Sequence, residues 1–272
     1  MGKEALLTLI PDYNNREIII KGNGMLFWQR QGNGPEIVLV HGFLGSGKIF
    51  NPLTEHLAKQ FSVTTIDLPG CAGSYDIAVP ATVEELSHIV IDTIQSSGLN
   101  TYSILGHSLG AMIALEISLQ QPQLLEKMVV YGGCPDGYLP DRFETTEESI
   151  EKIRSNGIEA IAGDIAAQWF QRGKQDPMYP LAQAAGSHSN EAAAIDHLRT
   201  WDHWKARDRL DKIQTPTLII CGDCDRSTHP NLSIEMWKRI PHAQLFIAPN
   251  AGHIVHLEYT LEFNSVVEKF LR

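Results

Sequence analysis

The sequence predicts an α/β fold: a mostly parallel, doubly wound sheet covered by helices, interrupted by a helical insertion. Three observations carry this. Short apolar, β-branched runs alternate with helical stretches, the rhythm of strand–helix–strand units. The run at 36–40 (EIVLV) is continuously apolar after Glu36, as in a strand buried on both faces. From about 134 to 210 helical segments follow one another with no convincing strand, and then the alternation resumes. This places a core at 1–133 and 211–272 and an insertion at 134–210, expected to cap the carboxyl ends of the strands.

In chain order, residues 17–30 read as two short strands joined by a Gly-Asn-Gly turn. After the strand at 36–40 comes a Gly-rich loop and a helical stretch across 51–60. A strand at 62–67 stops at Leu68-Pro69-Gly70. Residues 82–97 carry apolar side chains at 83, 86, 89, 90 and 94, a helical period with Thr82 or Ala81 near the cap. A strand at 101–105 precedes a helix at 109–120 that is apolar on nearly every side, hence buried, and that ends before Pro122. A strand at 127–132 leads to the insertion. Strands at 216–221 and 243–248 and helices at 231–239 and 259–271 complete the pattern.

At 272 residues, 43% hydrophobic and 20% charged, the chain can bury a full core without disulfide staples. Its net charge of -10 repels phosphate backbones and anionic lipid, so neither nucleic acid nor a membrane is an expected partner. The expected partner is a small molecule; the oligomeric state is not legible. Four scattered cysteines do not make a secreted disulfide framework, and the lone Cys221-x-x-Cys224 lacks the further ligands of a zinc site. Residues 1–15 have no long apolar stretch and carry Glu4, and no apolar run reaches membrane-spanning length, so the expected location is cytoplasmic.

Gly106-His107-Ser108-Leu109-Gly110 is a G-x-S-x-G set between a strand and a buried helix, the context in which the motif exposes a nucleophilic hydroxyl. A serine needs a base. His253, in Asn250-Ala251-Gly252-His253 beyond the last strand, is the candidate. The carboxylate that orients the imidazole should follow the preceding strand, where Cys221-Gly222-Asp223-Cys224-Asp225 offers two aspartates. Asp225 is preferred because a turn at Gly222 leaves it further out over the strand ends; Asp223 is the fallback and Asp136 a third possibility. The backbone N–H groups of Leu109 and Phe43 are the expected oxyanion donors, each worth roughly 2.7–4 kcal/mol in the transition state. His41 reads as a loop organiser. This machinery requires no cofactor and no metal.

Residues 36–272 resemble the α/β-hydrolase superfamily through His41-Gly42, Asp67-Leu68-Pro69-Gly70, GHSLG, Gly222-x-x-Asp225 and Gly252-His253. Within it the chain resembles small serine esterases, enol-lactonases, cofactor-free haloperoxidase-like enzymes and C–C hydrolases. The resemblance implies a serine hydrolase acting on a carboxylic ester bond. Thioester hydrolysis and hydrolytic C–C cleavage are alternatives on the same residues. Cys71 departs from the superfamily pattern, which usually has histidine there. An aspartate-nucleophile dehalogenase is argued against by Ser108. A rival reading takes Gly42–Lys48 as a P-loop, but Ile49 stands where a hydroxyl would hold magnesium. A receptor that kept the fold without catalysis is a third class.

The insertion holds Trp169, Phe170, Tyr179, Trp201, His203 and Trp204. With His107 in the elbow, Trp169 and Trp204 are the expected pocket residues. The nucleophile, oxyanion and histidine motifs contain no Lys or Arg, which points to a neutral, moderately hydrophobic ester or lactone.

Overall fold

The computed structural model describes the backbone of residues 16–19 and residues 25–137 and 144–272 in full. Among the described residues eight strands form one sheet: β1 (Arg16–Ile19), β2 (Trp28–Gln31), β3 (Glu36–Val40), β4 (Ser62–Ile66), β5 (Tyr102–His107), β6 (Leu125–Tyr131), β7 (Thr217–Gly222) and β8 (Gln244–Ala248). Their order is β1-β2-β4-β3-β5-β6-β7-β8. The first two join antiparallel, with Ile19 opposite Trp28; the other six are parallel. The Gly-Asn-Gly turn expected between β1 and β2 lies outside the described residues.

The apolar runs fall where burial is deepest. Ile37, Val38, Leu39 and Val40 are wholly buried between β4 and β5, and Ile104 and Leu105 continue that core. Burying such a side chain stabilises by about 1.5–3 kcal/mol. Chain order reverses at β3: the chain crosses to β4 on one side, then to β5 on the other. In open parallel sheets the crevice beyond the carboxyl ends at such a reversal is where ligands bind. The loop after β3 and the turn after β5 open there.

Helices α1 (Asn51–Leu57), α2 (Val83–Ser96) and α3 (Leu109–Gln120) belong to the first half. The expected helix at 51–60 stops at Leu57, where the N–H groups of Gln60 and Phe61 both turn back to the Leu57 carbonyl. Thr82 caps α2, its hydroxyl accepting from the Glu85 N–H at 3.1 Å. Helix α3 is buried from Leu109 to Ser118 against β5, β6 and α2.

Among the described residues four α-helices lie between β6 and β7: α4 (Thr146–Asn156), α5 (Ile158–Trp169), α6 (Tyr179–Gly186) and α7 (Glu191–Asp202). Helix α4 opens with a reciprocal cap between Thr145 and Glu148. The chain leaves the sheet and returns through one neck. There the Gly137 N–H donates to Trp204 O at 2.9 Å and the Ala206 N–H to Pro135 O at 2.8 Å. The Asp136 carboxylate accepts from Arg207 Nε at 2.7 Å, and Arg207 also pairs with Glu235. The chain closes with α8 (Pro230–Arg239), α9 (Val255–Glu258) and α10 (Thr260–Leu271). Among the described residues no helix is long and apolar enough to cross a membrane.

Burial leaves several histidines uncharged. Desolvation lowers His197 and His256 to about 3. The unfolded chain protonates these imidazoles below about pH 6.5, whereas the folded one resists to about pH 3. Stability from this source is therefore complete above about pH 6.5 and falls as the pH drops, by about 1.4 kcal/mol per unit per group. At pH 5 the two together should cost about 4 kcal/mol, a large share of a typical 5–15 kcal/mol. Thermal unfolding between pH 7.5 and 5 should show a steep fall in Tm; a flat profile would contradict the burial argument.

Candidate active site

Ser108 stands at the junction of β5 and α3 with φ 56° and ψ -114°. A non-glycine residue in such a conformation stores about 1–3 kcal/mol and persists only where its surroundings enforce it. Here they do. The Ser108 N–H donates to Tyr131 O of β6 at 2.9 Å. A Cβ on Gly106 would meet Gly110 O at 2.0 Å, and one on Gly110 would meet Val40 O at 2.1 Å. Strand and helix approach too closely for any side chain at the two flanking glycines, so the turn between them is sharp and the serine is pushed outward.

His253 and Asp225 come together at the ends of β8 and β7. His253 Nδ1 lies 2.8 Å from Asp225 Oδ2, with both side chains buried. A carboxylate only accepts, so the proton sits on Nδ1 and leaves Nε2 bare. Asp225 Oδ1 accepts the N–H groups of Ser227 and Thr228 at 2.8 and 2.9 Å. Of the three aspartates left open by the sequence, only Asp225 meets the imidazole. Asp223 accepts from the Ala251 N–H at 3.3 Å, and Asp136 is engaged by Arg207 in the neck.

The backbone of His253 is held from three sides. Its N–H donates to Trp169 O at 2.8 Å, and its carbonyl accepts from His107 Nε2 at 3.1 Å and the Tyr131 hydroxyl at 3.0 Å. Burial and the neighbouring His253 and His256 hold His107 well below its ordinary range, so it acts as a neutral donor. His256 donates from Nε2 to Ile49 O at 3.1 Å, away from this pair.

The loop after β3 is organised by two side chains. His41 Nδ1 donates to Gly42 O at 2.7 Å and its Nε2 accepts from the Leu68 N–H at 2.9 Å. Asp67 accepts from the N–H groups of Gly47 and Gly73 at 2.7 and 2.9 Å. The P-loop-like glycine is thus spent on Asp67, and Lys48 points to solvent. Cys71 is buried, its thiol pushed up to about 12 by desolvation, in contact with Ser189 rather than the site. Cys221 is buried and Cys224 exposed, both free; among the described residues no acidic, histidine or cysteine cluster could hold a metal ion.

Ser108 and His253 face one cavity of about 70 Å³. Phe43 and Leu109 line it from the two loops, and no hydrogen bond among the described residues uses either backbone N–H. Leu109 opens α3, so its N–H is one of the first-turn donors a helix cannot satisfy itself. Among the described residues the apolar wall comes from Met112, Cys134, Ile165, Trp169 and Trp201, and Gln168, Ser227 and Thr228 add neutral polar groups. His107 and Trp169 therefore reach the cavity, but Trp204 does not. Its indole Nε1 donates to Glu116 Oε2 at 2.9 Å, where Arg209 also binds at 2.8 Å. A buried charge in the middle of α3 must be matched, and Trp204 is drawn to that duty. Trp201, three residues earlier, stands edge-on to Phe43 at 5.1 Å and takes the place expected of Trp204. Ile165 is one turn before Trp169 on α5, a spacing that reveals it once Trp169 is placed. Thr228 carries no sequence signal.

The chain belongs to the alpha/beta hydrolase fold family, whose model matches residues 35–260. It is 24% identical to the pimeloyl-(acyl-carrier protein) methyl ester esterase of Nitrosomonas europaea, over 86% of this chain and 94% of that one. It is 22% identical to the (E)-2-((N-methylformamido)methylene)succinate hydrolase of Acinetobacter baylyi, over 94% and 98%. The crystal structure of the enol-lactonase of Burkholderia xenovorans superimposes with a TM-score of 0.81 at 22% identity, covering 92% and 97% of the two chains.

Proposed function

We infer that the protein is a serine hydrolase that cleaves a neutral, moderately hydrophobic carboxylic ester or lactone through an acyl-enzyme. The observation that carries this is Ser108, held at positive φ, lining the same cavity as a histidine whose Nδ1 is bound to Asp225. Ser108 Oγ attacks the acyl carbon while His253 Nε2 takes its proton, and Asp225 stabilises the resulting imidazolium. The Phe43 and Leu109 N–H groups receive the oxyanion. Collapse of the tetrahedral intermediate expels the alcohol, protonated by His253. Water, deprotonated by the same nitrogen, then releases the acid and restores Ser108. Names such as esterase and enol-lactonase among the similar proteins agree with this chemistry. Steady-state rates on a panel of neutral aryl esters, lactones and thioesters test it: ester or lactone turnover is expected, and turnover of neither overturns the reading.

The helical insertion acts as the specificity cap. Among the described residues the lining carries no charged side chain, which suits a neutral group, and 70 Å³ is about half of the ~150 Å³ cavity that accommodates benzene. The acyl series should therefore peak at short chains, about two to four carbons, with kcat/KM gaining at most ~0.8 kcal/mol per methylene before the limit. Trp169→Ala should move that limit outward. Trp204→Ala should leave chain-length selectivity intact and destabilise the fold by about 3–5 kcal/mol. The opposite assignment of the two effects would remove the cap argument.

A further inference from the structure

Thr228 lies three residues beyond Asp225 and borders the cavity. Its Oγ1 is 2.9 Å from Asp225 Oδ2, 2.9 Å from Gly132 O and 3.4 Å from His253 Nδ1. A threonine hydroxyl has one proton, and the two nearer neighbours only accept. The proton can rest on the carboxylate or on the carbonyl, not on both. Hydrogen bonds to an ionised acceptor are roughly twice as strong as neutral ones, so Asp225 holds it at rest. Gly132, at φ 54°, brings its carbonyl into the cluster; a Cβ there would stand 3.2 Å from His253 Cε1, so the ring and this turn have been fitted to each other.

We propose that Thr228 is a positioning residue for the reaction assigned above, on which this inference rests: its hydroxyl proton sits on Asp225 Oδ2 in the resting enzyme and turns to Gly132 O as His253 becomes an imidazolium. At rest the donor draws charge from the carboxylate and so holds part of its pull on the imidazole in reserve. When the proton arrives from Ser108, rotation of one O–H bond frees Oδ2 to face the imidazolium alone. No heavy atom moves, and Gly132 O supplies the second seat, so the hydroxyl is never left unpaired in a buried site.

The other titratable groups acting on the pair are His107 and His256 toward His253, and Tyr131, Cys221 and Glu258 toward Asp225. All stay in place when Thr228 alone is changed, so a shifted pH profile reports the hydroxyl. The test is kcat/KM on a neutral aryl ester from pH 5 to 9 for wild type, Thr228→Val and Thr228→Ser, with fluorophosphonate labelling of Ser108 across the same range. Valine keeps the shape and removes the donor, so the carboxylate becomes a stronger partner for the imidazolium. The midpoint of the rise should move up by about half to one pH unit. The plateau kcat should fall about tenfold with KM unchanged, and serine should restore both. Thr228→Ala, which adds no bulk, should give the same upward shift if valine disturbs the packing. A midpoint that stays or moves down in both variants, while Ser108 still labels, overturns the role of Thr228. Failure of wild-type Ser108 to label overturns instead the hydrolase reading beneath it.

Discussion

Ser108→Ala should lose turnover by on the order of 10⁶-fold, the scale on which removing a triad nucleophile acts. A residual rate above that of water, about 10³–10⁴-fold, should survive, because the Phe43 and Leu109 donors and the cavity remain. The loss should not come from unfolding. Alanine resists positive φ much as serine does, so the Tm of Ser108→Ala should hardly move. Ser108→Gly should be equally inactive and yet more stable, since glycine adopts φ 56° without the steric cost that serine meets. A fluorophosphonate should add its mass to Ser108 in the wild type and nowhere in either variant. Mass-spectrometric mapping of the label to another serine, or a fully active Ser108→Ala, would remove the nucleophile from the proposed mechanism.

The central strands were legible because a parallel strand buried on both faces has one solution in sequence, a continuous apolar run. EIVLV at 36–40 has that form after Glu36 and becomes β3 residue for residue. The strand expected at 101–105 runs on to His107, because the first two residues of the GHSLG motif still pair with β6. Ser108 was legible for a related reason: two glycines are needed where backbones pass at contact distance, and only the elbow puts them on either side of a serine. Less was legible where the deciding partner is remote in sequence. Trp201 and Trp204 end the same insertion and look alike in composition. What separates them is Glu116, some ninety residues earlier, whose carboxylate claims the Trp204 indole. A lone acid in the otherwise uncharged stretch 109–119 is the trace of that partnership, but it does not say which donor answers it. Burial alone would raise Glu116; hydrogen bonds from Arg209, Trp204 and Gln120 outweigh it and keep the carboxyl below its usual range. Thr228 was invisible because a threonine in a loop carries no period and no motif.

Asp225→Asn should cost about 10⁴ in kcat, and Asp223→Asn no more than a few-fold. The two residues follow the same strand, so the contrast isolates geometry from location. At 225 an amide can still accept the Ser227 and Thr228 N–H groups on its oxygen, which keeps the loop folded. It then turns its NH₂ toward His253 Nδ1, which must become the acceptor. The imidazole is forced into the other tautomer, with its proton on Nε2 facing Ser108, where the reaction needs a lone pair. The base is therefore blocked rather than merely weakened, and the imidazolium loses its counter-charge as well. At 223 the carboxylate accepts from the Ala251 N–H at 3.3 Å and meets the exposed Cys224 thiol, and the oxygen of asparagine can accept in both places. Asp136→Asn adds a third arm. It weakens the bond to Arg207 at the neck of the insertion and should lower Tm while leaving kcat near wild type. Rates and Tm for the three variants, measured together, distinguish a carboxylate that orients the histidine from two that hold loops. A larger kcat loss at 223 than at 225 would transfer the role to Asp223. Equal losses with a collapsed Tm in both would mean that the two changes unfold one shared loop and would withdraw the tautomer argument.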